Sequence, residues 1–140
     1  MGFIFSMRKY SDKILVAWGE AISGNVEIRD WLMKNNYPEL GLFCFALYFD
    51  KSASEWLMKN APHLLATIKA VEGKKQAIKW LEVNSYKLLL RIAKAADNDK
   101  DEMNWLMKND PIFAIIAQRI KTVKDDIDET NNDVHRWGYE

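Results

Sequence analysis

The sequence predicts an all-α protein. Short two-helix repeats of 24–25 residues stack as a small right-handed α-solenoid, with an N-terminal arm and a C-terminal capping helix. Three observations point there. The word WLMKN stands at Trp31–Asn35, Trp56–Asn60 and Trp105–Asn109, with a worn copy, WLEVN, at Trp80–Asn84. The four tryptophans follow one another at steps of 25, 24 and 25 residues. All three prolines, Pro38, Pro62 and Pro111, fall six or seven residues after a repeat tryptophan, and Tyr86 takes that place in the third unit.

Each unit reads as two helices. The first carries the tryptophan word and ends at its asparagine, a residue that tolerates helix-terminating conformations. Proline opens the second helix, in a first turn where a missing N–H costs nothing. Asp110 precedes Pro111 as an N-cap. The second helix runs about ten residues and stops at turns marked by Gly24-Asn25, Asp50, Gly73 and Asn98-Asp99. One domain spans 1–140, with repeats at 11–35, 36–60, 61–84, 85–109 and 110–129, and a tail at 130–140 that folds back or stays loose.

Counted from the proline position, apolar residues recur at steps two, six and nine, which is one helical stripe. Step two holds Leu40, Leu64, Leu88 and Phe113; step six Cys44, Ile68, Ile92 and Ala117; step nine Leu47, Val71, Ala95 and Ile120. Ahead of Trp31, Leu15, Gly19 and Ile22 fit the same frame as a partial leading unit. Helices this short need their neighbours, so the stripe is the core. Trp and Leu of each word are the expected core pair, since the same hole recurs in every unit. Asn35, Asn60, Asn84 and Asn109 are expected to stack in register and satisfy backbone groups at the joints. The last helix runs on, with Ile116, Ile120, Val123 and Ile127 on one stripe and KDDIDE on the other, as a cap needs. Val134, Trp137 and Tyr139 lie in the tail.

The rhythm of two short helices around an Asn-x-Pro-like joint, from Trp31 to about Ile120, resembles the leucine-rich-variant class of helical repeats. The resemblance implies a right-handed stack of short helices and carries no function with it.

Composition narrows the function. Twenty basic and twenty acidic residues cancel, so no global field draws the chain to nucleic acid or anionic lipid. The one cysteine, Cys44, makes no internal disulfide, and the longest apolar run, Leu40–Phe49, is too short to span a bilayer. MGFIFS fits only the loose pattern for myristoylation and reads better as a structured arm. A cytoplasmic protein is expected.

Catalytic patterns fail one by one. His63 and His135 are not spaced with each other or with Cys44 as a zinc site requires, and Cys44 sits on the apolar stripe. Asp97, Asp99 and Asp101 begin like a calcium loop, but Glu102 stands where glycine should and Lys108 where glutamate should. No phosphate-cradling loop or nucleophile motif occurs, so no enzyme, cofactor or metal is expected.

The expected function is a non-catalytic protein–protein interaction module of inhibitor or immunity type. The first full unit carries the evidence. At step five the units show Trp18, Phe43, Thr67, Arg91 and Ile116; at step seven Glu20, Phe45, Lys69, Ala93 and Gln118; at step ten Ser23, Tyr48, Glu72, Ala96 and Lys121. Trp18, Phe43, Phe45 and Tyr48 therefore form the candidate partner-binding patch, for another protein or a second copy, unless Phe3, Ile4 and Phe5 cover it. The alternative is a nucleic-acid-binding repeat using the ridge Lys34, Lys59 and Lys108, which Val83 interrupts.

Overall fold

The computed structural model describes the backbone of residues 7–137 and the side chains of residues 7–131. A 3-10 turn at Met7–Lys9 leads into nine α-helices among these residues. They are α1 Asp12–Ile22, α2 Val26–Lys34, α3 Pro38–Leu47, α4 Lys51–Asn60, α5 Pro62–Val71, α6 Lys75–Val83, α7 Lys87–Ala96, α8 Lys100–Asn109 and α9 Pro111–Trp137. No strand occurs among the described residues. The arm residues Phe3, Ile4 and Phe5 and the side chains of Val134, His135, Trp137 and Tyr139 lie outside them.

Local chemistry starts and stops each helix. Ser11, Asn25, Asp50 and Asp99 accept N–H bonds from Ile14, Ile28, Ala53 and Glu102, capping α1, α2, α4 and α8. Proline opens α3, α5 and α9. At the ends of α1, α3, α5 and α7 the chain turns through a left-handed residue: Gly24, Phe49, Gly73 and Asn98, with φ of 107°, 67°, 82° and 74°. The next N–H in each case reaches back five residues, from Asn25 to Glu20, Asp50 to Phe45, Lys74 to Lys69 and Asp99 to Lys94.

The joints after the tryptophan words come in two lengths. After α4 and α8 a single residue, Ala61 or Asp110, links the helices. After α2 and α6 an extra left-handed residue is inserted, Asn36 or Ser85. Lys87, not Tyr86, therefore opens α7, and Tyr86 matches Tyr37. The expected frame of the third unit is one residue out. Corrected, step two holds Leu15, Leu40, Leu64, Leu89 and Phe113, all 4% exposed or less. Step five holds Trp18, Phe43, Thr67, Ile92 and Ile116, all 1% or less. Step five is thus the deepest position of the unit, where the uncorrected frame put Arg91 and made it look like a flank.

α1, α3, α5, α7 and α9 form an inner set, and each of α2, α4, α6 and α8 packs on the two inner helices that flank it in sequence. The inner helices run parallel, because late steps meet late steps: Arg119 at step eight of α9 reaches Glu20 at step seven of α1, and the Trp18 and Phe43 rings, both at step five, lie edge to face at 5.0 Å. The inner set also closes. α9 packs against α1, so α1–α3–α5–α7–α9 is a ring. An open stack, as expected from the repeat, would keep its first and last units apart. Arg119 on α9 donates to Glu20 on α1 at 3.4 Å across that closure.

Both ends of the ring are covered. Over the N-terminal ends of the inner helices, buried Met7 and Tyr10 sit in the leading segment. The Tyr10 hydroxyl donates to Glu39 at 2.5 Å, its ring lies 5.9 Å from Tyr37, and Arg8 reaches Asp110. At the other end α9 continues beyond the unit length. Val123 is buried there, Ile127 packs against the core, and Lys124 pairs with Asp97 at the end of α7.

The tryptophan words behave differently from expectation. Leu32, Leu57, Leu81 and Leu106 are all 0% exposed and are the core residue of each outer helix. The tryptophans are not their buried partners: Trp31 is 48% exposed and Trp80 37%, with Trp56 and Trp105 half-buried. Adjacent helical residues diverge by about 100°, so Leu and Trp cannot both point at the ring. Two of them pack along a flank instead, Trp80 stacked on Tyr86 at 5.6 Å and Trp105 under the Arg91 guanidinium at 3.9 Å. The four asparagines do satisfy the joints, but within their own helices. Each side-chain amide donates to the carbonyl of the tryptophan four residues earlier.

Candidate functional site

The four residues expected to gather on one surface divide into two pairs. Trp18 and Phe43 are 0% exposed and belong to the centre of the ring. They look outward in the sequence because step five also shows Thr67, whose buried hydroxyl donates to the His63 carbonyl, and, through the misplaced frame of the third unit, Arg91. Phe45 is half-buried and Tyr48 is 59% exposed, and these two share a groove. Its volume is about 360 Å³, and Val26, Arg29, Cys44, Phe45, Tyr48 and Asp50 line it. The start of α2 forms one wall and the end of α3 the other.

The Arg29 guanidinium covers the Phe45 ring at 4.1 Å, a cation–π contact that holds the arginine stem over the groove. Its outer edge meets Asp30 at 3.3 Å. Val26, 51% exposed, continues the apolar surface. Cys44 adds bulk and no chemistry: burial pushes its thiol up to about 12, and the Sγ–H donates to the Leu40 carbonyl at 3.5 Å.

Next to Tyr48 comes a residue that the sequence reading passed over. Phe49 is 62% exposed and holds the left-handed turn that Gly24, Gly73 and Asn98 hold in the other units. A bulky side chain there costs about 1–2 kcal/mol. Phe49 borders a second groove of about 220 Å³ with Leu47, Ile68, Val71, Val123 and Ile127. Tyr48 and Phe49 thus stand as an aromatic knuckle between two apolar grooves. The available signal was alignment: in the corrected frame Phe49 falls in the column of Gly24, Gly73 and Asn98.

Lys34, Lys59 and Lys108 are all exposed, in the last turns of α2, α4 and α8. Cations there complement the helix dipole, which is reason enough for lysine to recur. Among the described residues no group of three or more His, Cys, Asp and Glu side chains could hold a metal ion, and no helix is long and apolar enough to cross a membrane.

Set against known proteins, the chain matches no family model, no curated protein and no solved structure, so its function is argued from its own geometry.

Proposed function

We propose that this is a small cytoplasmic, non-catalytic binding protein that docks another protein on the knuckle of Phe45, Tyr48 and Phe49, with Val26 and Arg29 beside it. One observation carries the reading. Phe49 is strained and exposed at a position its sibling units fill with Gly or Asn. A fold gains nothing from an exposed phenylalanine in the left-handed region, and strain of this kind concentrates at functional positions. Exposed aromatics flanked by apolar grooves and an arginine are the composition of a binding hot spot. An inhibitor or immunity-type role suits a stand-alone domain of this size by architectural analogy.

The test exchanges strain for binding. Phe49→Asn, the residue of the fourth turn, is expected to raise the melting temperature by roughly 2–4 °C, equivalent to about 1 kcal/mol. The same variant should lose the partner that the wild type captures from native extract. A variant that is more stable and still captures it would remove Phe49 from the site. Binding of nucleic acid that falls steeply with salt and disappears on Lys34→Glu, Lys59→Glu, Lys108→Glu would favour the lysine ridge instead.

A further inference from the structure

Two arginines of this chain are held in the same way. Arg29 lies over the Phe45 ring at 4.1 Å and meets the Asp30 carboxylate at 3.3 Å. Arg91 lies over the Trp105 ring at 3.9 Å and meets Glu102 at 2.6 Å. In each case an aromatic face carries the flat guanidinium and a carboxylate takes its N–H groups. The groove beside Phe49 has the same parts without an arginine. Phe49 supplies an exposed aromatic ring, and Glu72 and Asp128 supply exposed carboxylates. Neither carboxylate forms an ion pair among the described residues. The cation that lines the groove, Lys124, is engaged by Asp97.

The backbone adds to this negative charge. α3 and α5 run parallel and both end at the groove, where they present the C-terminal poles of their dipoles. The carbonyls of Leu47 and Val71, the last residues of these helices, accept no backbone N–H among the described residues. Beneath them the floor is apolar: Ile68, Val71 and Val123 are 2–5% exposed, and Ile127 packs beside them. Carboxylates and helix ends around an apolar floor select a cation on an apolar stem. A guanidinium answers better than an ammonium, because it stacks on a ring and its fork of donors spans two carboxylates. The volume of about 220 Å³ is below the ~300–1,000 Å³ of small-molecule sites, so the space fits a side chain rather than a metabolite.

We propose that this groove is the arginine subsite of the docking surface. It takes one arginine of the partner protein, with the stem on Ile68, Val71 and Ile127 and the guanidinium on the Phe49 ring between Glu72 and Asp128. This rests on the partner docking at the knuckle, and it makes the partner's contact basic on the Phe49 side.

The probe is the peptide acetyl-Leu-Arg-Leu-amide, titrated into the isotope-labelled full chain and followed by backbone amide shifts. Saturable shifts are expected at Phe49, Glu72, Gly73 and Asp128, with a Kd on the order of 1 mM. The same peptide with citrulline keeps the shape, loses the charge and should bind about tenfold more weakly. The arginine peptide should lose about as much on the double variant Glu72→Gln, Asp128→Asn. That variant keeps the fold, because both side chains are exposed and carry no ion pair among the described residues. No saturation, shifts centred on other residues, or equal binding of the citrulline peptide overturns the proposal. So does self-association of the wild type that the double variant abolishes, which gives the groove to a second copy. Capture from native extract separates the subsite from the docking surface. The double variant is expected to lose the partner. If it keeps the partner while Phe49→Asn loses it, the docking surface stands and its arginine subsite falls; if Phe49→Asn keeps the partner too, both fall.

Discussion

Arg8 and Asp110, 102 residues apart in the chain, meet in a two-pronged ion pair with N–O distances of 2.8 and 2.9 Å. The Asp110 carboxylate is 13% exposed and sits where α9 begins; the guanidinium holds its pKa below the usual carboxylate range. A lowered carboxyl pKa contributes stability above the ordinary value near 4 and loses it as pH falls through that range. Asp110→Asn should therefore cost roughly 0.5–1 kcal/mol at pH 7 and almost nothing at pH 3, read by urea unfolding at both values.

His63 gives acid sensitivity at a higher pH. The ring is 4% exposed, stacks on Tyr86 at 5.3 Å, and has its pKa pushed down to about 4, first by burial and then by Lys9. The unfolded chain takes up this proton near pH 6.5 and the folded one near 4, so stability falls as pH drops between them. His63→Phe keeps the stack and should flatten the stability profile from pH 6.5 to 4. An unchanged slope would place the acid sensitivity elsewhere.

The leucine of the repeated word, not its tryptophan, holds the outer helix down. Leu81→Ala should cost about 3 kcal/mol through the cavity it leaves. Trp80→Ala should cost about 1 kcal/mol, the worth of an exposed ring stack. The reverse ranking in denaturant unfolding would contradict the orientation of α6.

Two glycine-to-alanine changes should have opposite signs. A Cβ at residue 41 would run into Met33 Cγ and lie 3.1 Å from the Arg29 carbonyl oxygen. Overpacking there outweighs the helix propensity of alanine, for a net loss of about 1–2 kcal/mol, and Met33→Ala should recover most of it. A Cβ at residue 19 meets Ile116 Cδ1 at 3.4 Å, an ordinary contact, so Gly19→Ala should gain about 0.5 kcal/mol.

Helix placement and the apolar stripe were legible because proline, asparagine and leucine act locally. The frame was lost at Asn84-Ser85-Tyr86-Lys87, where the mark of the longer joint is a left-handed serine, a residue with no strong preference for that conformation. The same slip sent Trp18 and Phe43 to the surface. Burial of the tryptophans was misjudged because size suggests a core and only helix rotation excludes it. Phe45 and Tyr48 were found by contrast with their siblings. Phe49 was not, since the slipped frame put Asp97 instead of Asn98 in the column of Gly24 and Gly73 and hid the turn that Phe49 holds. Closure of α1 on α9 depends on Gly19, Glu20 and Arg119 meeting across most of the chain, and no window of 25 residues contains that.

That closure fixes the number of units. In a linear array one unit more or less changes only the length, and each unit answers energetically to its neighbours alone. Here the first and last inner helices are neighbours, so inserting or deleting one unit would force every inter-helix angle to change and reopen the circle. The protein has given up the freedom to grow by duplication, and it should unfold in a single cooperative transition, with no fraying from either end.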